Sequence, residues 1–112
     1  RPLGSACLDS VGNFWFCLPD RSGVVVFDPR RPEAAELLSE SVVRTVVNDA
    51  DNNLWFGTEK GAIRHDAYSF VTFDTSRGLP ESDVRSLAAG NGESASLWVG
   101  TARGVFEFNG AT

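Results

Sequence analysis

Residues 53–58 read Asn53-Leu54-Trp55-Phe56-Gly57-Thr58, and the stretch occurs again downstream as Ser96-Leu97-Trp98-Val99-Gly100-Thr101. Upstream, Asn13-Phe14-Trp15-Phe16-Cys17-Leu18 is a weaker copy. The chain has three tryptophans, and all three hold the same place in this motif. Trp55 follows Trp15 by 40 residues, and Trp98 follows Trp55 by 43. A period of about 40–45 residues marks a repeat array, and several short strands per period point to propeller blades.

The middle copy shows the plan most clearly. Val42 to Asn48 is β-branched and short, which predicts a buried strand. Asp49-Ala50-Asp51-Asn52 is a turn, because Asp and Asn bond their own backbone and tolerate positive φ. Asn53 to Thr58 is the second strand, in which Gly57 lets another backbone approach. Glu59-Lys60-Gly61 turns the chain, Ala62 to Asp66 is the third strand, Ala67-Tyr68 turns it again, and Ser69 to Asp74 is the fourth. The first copy runs Ala6–Asp9, Asn13–Leu18, Val24–Asp28 and Ala34–Leu38, with a longer turn at Pro19 to Gly23. Pro29 and Pro32 keep its last connection out of any ladder. Ala34-Ala35-Glu36-Leu37-Leu38 is rich in helix formers, but the repeat predicts a strand there. The third copy has strands at Val84–Ala89, Leu97–Thr101 and Val105–Asn109, a long turn from Gly90 to Ala95, and no fourth strand. The expected fold is all-β: a propeller segment of four-stranded antiparallel blades, eleven strands in all, with blades at about 6–39, 42–74 and 84–109 and a loop at Arg77 to Pro80 between the last two. The 112 residues form one such segment.

Composition narrows the function. With 42% apolar residues the chain has the makings of a folded core. The net charge is −5 and the basic residues are scattered singly, which argues against nucleic acid and against anionic membranes. No apolar run approaches the ~20 residues of a membrane helix. The chain has no Met, so it is expected to be a processed or excised segment, and Pro2-Leu3-Gly4-Ser5 resembles what protease removal of an expression tag leaves. Residues 1–5 are therefore left out of the fold. Cys7 and Cys17 are expected on neighbouring strands as diagonal neighbours, a poor geometry for a bridge.

Val43-Arg44-Thr45-Val46, Asp49, Asn52 to Thr58, Gly61 and the Gly78-Leu79-Pro80 loop together resemble the two-component-regulator propeller repeat. That pattern is a buried strand, an Asp-turn-Asn-x-Trp-x-Gly-Thr strand, a Gly-led strand, an aromatic strand and a Gly-Leu-Pro loop. The third copy departs from it with Gly90 at the turn, and the first with Cys17-Leu18 in place of Gly-Thr. The resemblance implies the periplasmic or extracellular sensor region of a bacterial signalling regulator, in which many blades form rings that bind saccharides or similar ligands. It implies no enzyme and no cofactor. Streptogramin lyases are related propellers that use His and Glu residues, and no matching motif stands in this sequence. A lyase-type enzyme and a purely structural self-assembling segment are the alternatives.

Blades bury their faces only against neighbours, and about two and three-quarter blades are too few to close a ring. Association with further blades, or with a second copy in a six-bladed homodimer, is therefore expected. The three tryptophans are assigned to packing between blades rather than to sugar stacking, because large aromatics at repeated strand positions pack sheet on sheet. Asp49 to Asn53 resembles the start of a calcium loop, but Lys60 stands where the bidentate Glu belongs, so a turn is expected and no metal. His65 aligns with Phe27 and Phe108, an apolar strand position. If a ligand binds, propeller topology places it at the channel mouth. There Arg44 and Arg85 early in the first strands, Lys60 and Arg103 in the turns, and Glu40 and Glu81 in the entering loops are the candidates. Repeated arginines suit a carboxylate or sugar hydroxyl; the plainer account is solvated surface charge.

Overall fold

The computed structural model describes residues 6–18, 22–31, 33–49, 51–66, 69–90 and 97–108. Expectations for residues 1–5, most of the Pro19 to Gly23 turn, Pro32, Ala50, the Ala67-Tyr68 turn, most of the Gly90 to Ala95 turn and Asn109 lie outside them.

Among the described residues eleven strands form three antiparallel sheets. The first holds β1 (Ala6–Leu8), β2 (Phe14–Cys17), β3 (Val24–Phe27) and β4 (Ala34–Leu37). The second holds β5 (Val43–Asn48), β6 (Leu54–Thr58), β7 (Gly61–His65) and β8 (Phe70–Phe73). The third holds β9 (Val84–Ala89), β10 (Leu97–Thr101) and β11 (Gly104–Phe108). In every sheet the strands pair in chain order. This is a β-propeller segment of two four-stranded blades and one three-stranded blade. Between the second and third blades the chain takes one short 3₁₀ turn at Thr75–Arg77, capped by the Asp74 carboxylate.

β4 tests repeat against propensity. Its residues Ala-Ala-Glu-Leu are good helix formers, and all four are exposed, so burial does not hold them extended. The ladder to β3 does: Val24 pairs with Leu37 and Phe27 with Ala34. The strand is the outer edge of a blade, where backbone pairing outweighs a propensity difference of a few tenths of a kcal/mol per residue.

Two seams carry the core. Trp15, Cys17 and Val24 of the first blade meet Val46, Leu54, Phe56 and Ile63 of the second. Trp55 and Ala62 of the second blade meet Leu87, Leu97, Val99 and Phe108 of the third. The same register positions serve both times, so each blade offers its Trp face forward and receives its neighbour on the other. The close approach expected at Gly57 is made by side chains, not backbone. A Cβ there would lie 2.8 Å from Thr45 Cγ2 and 2.9 Å from Val84 Cγ1, the latter on the next blade.

Trp15 and Trp55 are each 3% exposed, whereas Trp98, expected to share their role, is 44% exposed. The difference is positional: among the described residues no blade follows the third, so nothing covers that face. Cys7 pairs with Trp15 across β1 and β2, and both thiols are free. Burial, with Cys7 nearby, pushes the Cys17 thiol up to about 11, which leaves it a packed, unreactive group.

Candidate functional site

The repeated turn before each tryptophan is a built polar unit. Asp9 Oδ1 accepts from the backbone N–H of Val11 at 3.0 Å and of Asn13 at 2.9 Å. Its Oδ2 accepts from Asn13 Nδ2 at 3.2 Å and from Trp15 Nε1 at 2.9 Å. Asp49 repeats this geometry. Its Oδ1 takes Asp51 N at 2.9 Å and Asn53 N at 3.0 Å, and its Oδ2 takes Asn53 Nδ2 at 3.3 Å and Trp55 Nε1 at 2.7 Å. A carboxylate with four donors already has its acceptor sites used. The loop that resembled a calcium site is therefore a clamp: it closes the turn and gives a buried indole N–H its partner. The Asp-to-Trp interval of six residues is present twice in the sequence and marks the clamp.

Asp9 is the pH-sensitive end of this unit. Burial pushes its carboxyl up, but the bonds from Trp15, Asn13 and Val11 outweigh that and hold it below the ordinary range. A carboxylate depressed in the folded state stabilises above the unfolded value, about 4, and that contribution fades as pH falls through the folded value. An Asp9→Asn chain is expected to show lower stability near neutrality and a flatter loss of urea midpoint below about pH 4. Parallel acid profiles for parent and variant would contradict this.

The sequence-derived mouth residues fall along one rim of the second and third blades, where strand pairing sets the starts of β5 and β9 beside the ends of β6 and β10. Arg44, in β5, sends Nη1 to the Asp83 carboxylate and to the Val84 carbonyl at 3.1 Å. Arg85, in β9, reaches the other Asp83 oxygen at 3.3 Å. Asp83 thus stands between two guanidinium groups, and the bond from Arg44 above all holds its carboxyl below the usual range. Lys60 Nζ donates to the Glu40 carbonyl at 3.0 Å, which ties the β6–β7 turn to the β4–β5 loop. Glu40 itself is exposed. Glu81 accepts from Asp83 N at 3.4 Å. The Arg103 backbone N–H is held by Thr101 Oγ1 at 3.0 Å, as that of Lys60 is by Thr58 Oγ1 at 3.0 Å, and the Arg103 side chain is exposed.

Sequence reasoning missed Asp83. It lies 39 residues from Arg44, so local spacing does not announce the pair. Its effect is to take Arg44 partly out of service for an anion and to fix β5 to β9 across the second seam. Arg85, with 57% of its side chain exposed against 33% for Arg44, keeps more of its charge open, and Lys60 and Arg103 are exposed as well.

His65 sits at the far end of β7. Its ring stacks on Phe70 at 4.3 Å and lies 5.0 Å from Trp15, and Nδ1 is 3.2 Å from the Ser69 carbonyl. It packs in the first seam, as its alignment with Phe27 and Phe108 leads one to expect.

Residues 37–60 match the family model described as two component regulator propeller. Those residues span the β4–β5 loop, the clamp turn, the Trp55 strand and Lys60. Comparison with curated proteins found no match. Among solved structures, the chain resembles the extracellular domain of a hybrid two-component system from B. thetaiotaomicron. The TM-score is 0.75 and the identity 16%, over 96% of this chain and 17% of that one. PorZ, a surface component of the type-IX secretion system of Porphyromonas gingivalis, has TM-score 0.73 and 20% identity over 96% of this chain and 17% of its own. Virginiamycin B lyase from Staphylococcus aureus has TM-score 0.61 and 12% identity over 98% of this chain and 42% of the lyase. The chain thus spans about a sixth of the first two proteins. The resemblance to two-component-regulator propellers rests on the residues themselves over 37–60 and on the fold across the chain.

Proposed function

We propose that the chain is a non-enzymatic propeller module of a bacterial signalling regulator, lying on the periplasmic or extracellular side and binding an acidic saccharide at the rim that carries Arg85, Lys60 and Arg103. The observation that carries this reading is the family match of residues 37–60, whose first and last turns form part of that rim. The charge there suits the ligand class. Guanidinium and ammonium groups hold a carboxylate by charge-assisted bonds, and Arg85 already shows its reach toward a carboxylate in Asp83. His65 speaks for binding rather than lyase chemistry: its ring is stacked in a seam, away from this rim.

Galacturonate is a suitable probe, since it carries one carboxylate and several hydroxyls. In ¹H–¹⁵N spectra it is expected to shift the amides near Arg44, Lys60, Arg85 and Arg103. Changing Arg85 and Arg103 together to Ala is expected to weaken binding at least tenfold while the spectrum keeps its dispersion. Shifts that are absent, or that survive the double change, would leave the purely structural reading in its place.

A further inference from the structure

The first two blades share a plan but differ at their outer strands. In the second, strand pairing sets Trp55, Arg64 and Val71 side by side. In the first, the same places hold Trp15, Val26 and Ala35. The second blade fills its own face with the longer side chain: the Arg64 guanidinium carbon lies 5.8 Å from the Trp55 ring centre and 5.3 Å from that of Phe73. The first blade has only small residues at these places, and a cleft of about 400 Å³ stands there, floored by Val26, Ala34 and Ala35.

Alternation along the strands puts Val26 and Ala35 on the face that carries Trp15. Trp15 packs on Phe56 and His65 of the second blade, so the cleft lies on a face turned toward another described blade. It sits at the start of β2 and the end of β3, the strand ends opposite the Arg44 rim. Its polar wall is Asn13, Asp28, Arg31 and Glu33. Asp28 is already committed, since it holds Arg30 Nε at 3.0 Å and Arg30 N at 2.9 Å. Asn13 Nδ2 donates to Asp9 at 3.2 Å, which leaves its side-chain oxygen to accept. The turn that bonds Arg31 N to the Asp28 carbonyl at 2.9 Å keeps Arg31 beside the cleft. Arg31 and Glu33 are exposed, and among the described residues neither side chain has a hydrogen-bond or ion-pair partner. The cleft thus offers one open guanidinium, one open carboxylate and an amide oxygen over a small aliphatic floor.

We infer that this cleft binds a free α-amino acid with an aliphatic side chain. Arg31 takes the carboxylate through its fork of N–H donors. Glu33 and Asn13 Oδ1 take the ammonium. The aliphatic side chain lies on Val26, Ala34 and Ala35, in the space that Arg64 and Val71 fill one blade later. The volume is near the lower end of the roughly 300–1,000 Å³ usual for ligand pockets, which suits one amino acid. A simple cation or anion would leave one of the two open charges unmatched. A sugar would find no ring to stack on, because none of the described lining residues is aromatic. The site is separate from the Arg85 rim and does not rest on the saccharide reading.

Titration of the ¹⁵N-labelled chain with L-leucine tests it. The amides of Asn13, Val26, Ala34 and Ala35 are expected to shift and saturate. N-acetyl-L-leucine lacks the ammonium and L-leucinamide lacks the carboxylate, and each is expected to bind weaker by about tenfold or more. Arg31→Ala and Glu33→Gln are expected to weaken leucine to a similar extent with the spectrum still dispersed, since both side chains are exposed. Val26→Arg with Ala35→Val gives the first blade the second blade's pair and is expected to abolish the shifts by filling the cleft. Should that pair unfold the chain, the two single charge changes decide. Galacturonate is read at the amides near Arg44, Lys60, Arg85 and Arg103, so each titration can fail without the other. Absent shifts with leucine, an analogue that binds as well as leucine, or shifts that survive both charge changes would each overturn the inference.

Discussion

A Gly61→Ala chain is expected to lose most of its stability, whereas Gly104→Ala, at the equivalent turn one blade later, is expected to lose far less. Both glycines sit at positive φ, 139° and 131°, a conformation that costs an L-residue about 1–3 kcal/mol. The difference lies in what stands beside them. At Gly61 a Cβ would be driven into the Phe73 carbonyl oxygen of β8, which is backbone and cannot swing aside, whereas at Gly104 nothing lies within 4 Å. Among the described residues the third blade has three strands where the second has four, so no described strand fills beside β11 the position that β8 fills beside β7. Overpacking adds about 1–3 kcal/mol at Gly61. The expected totals are roughly 4 kcal/mol at Gly61 and roughly 2 at Gly104. Urea denaturation of the two variants measures both. Equal losses would mean that a strand covers β11 as β8 covers β7.

The second large effect belongs to the tryptophans. Trp55→Ala removes a ring buried between blades together with the donor to Asp49, and about 3–5 kcal/mol is expected to go with it. Trp98→Ala removes a half-exposed ring from an uncovered face, and less than about 1 kcal/mol of monomer stability is expected to go. Thermal melts separate the two variants. Equal shifts in melting temperature would contradict the assignment of Trp55 to a closed seam and Trp98 to an open one.

The strands were legible because the three tryptophans set the register of everything around them. Once Trp15, Trp55 and Trp98 are aligned, each strand of one copy predicts its counterpart in the others, and this was strong enough to read Ala34–Leu37 as extended against its helix-forming composition. Which of the repeated positions would be buried was not legible in the same way. Equivalent positions share a register, but burial depends on the next blade, and Trp98 has none against it among the described residues. The site was read only in part. Topology brought Arg44, Arg85, Lys60 and Arg103 to one rim, yet the carboxylate that occupies Arg44 is Asp83, a contact across a seam and one repeat away. The clamp between Asp9 or Asp49 and its tryptophan was present as a repeated interval of six residues. It stayed hidden because the turn chemistry of Asp and Asn already accounted for those residues.

The claim on which the account turns is that Trp15 and Trp55 are each clamped by the Asp of their own turn and sealed by the next blade, whereas Trp98, with Gly90 at that turn position and no blade beyond it among the described residues, is exposed. Indole N–H exchange measures this directly. In the chain labelled with ¹⁵N at tryptophan, the Trp15 and Trp55 indole protons are expected to exchange slowly, and the Trp98 proton at nearly the rate of a free indole. If Trp15 or Trp55 exchanged as fast as Trp98, the clamp and the seam would both be wrong.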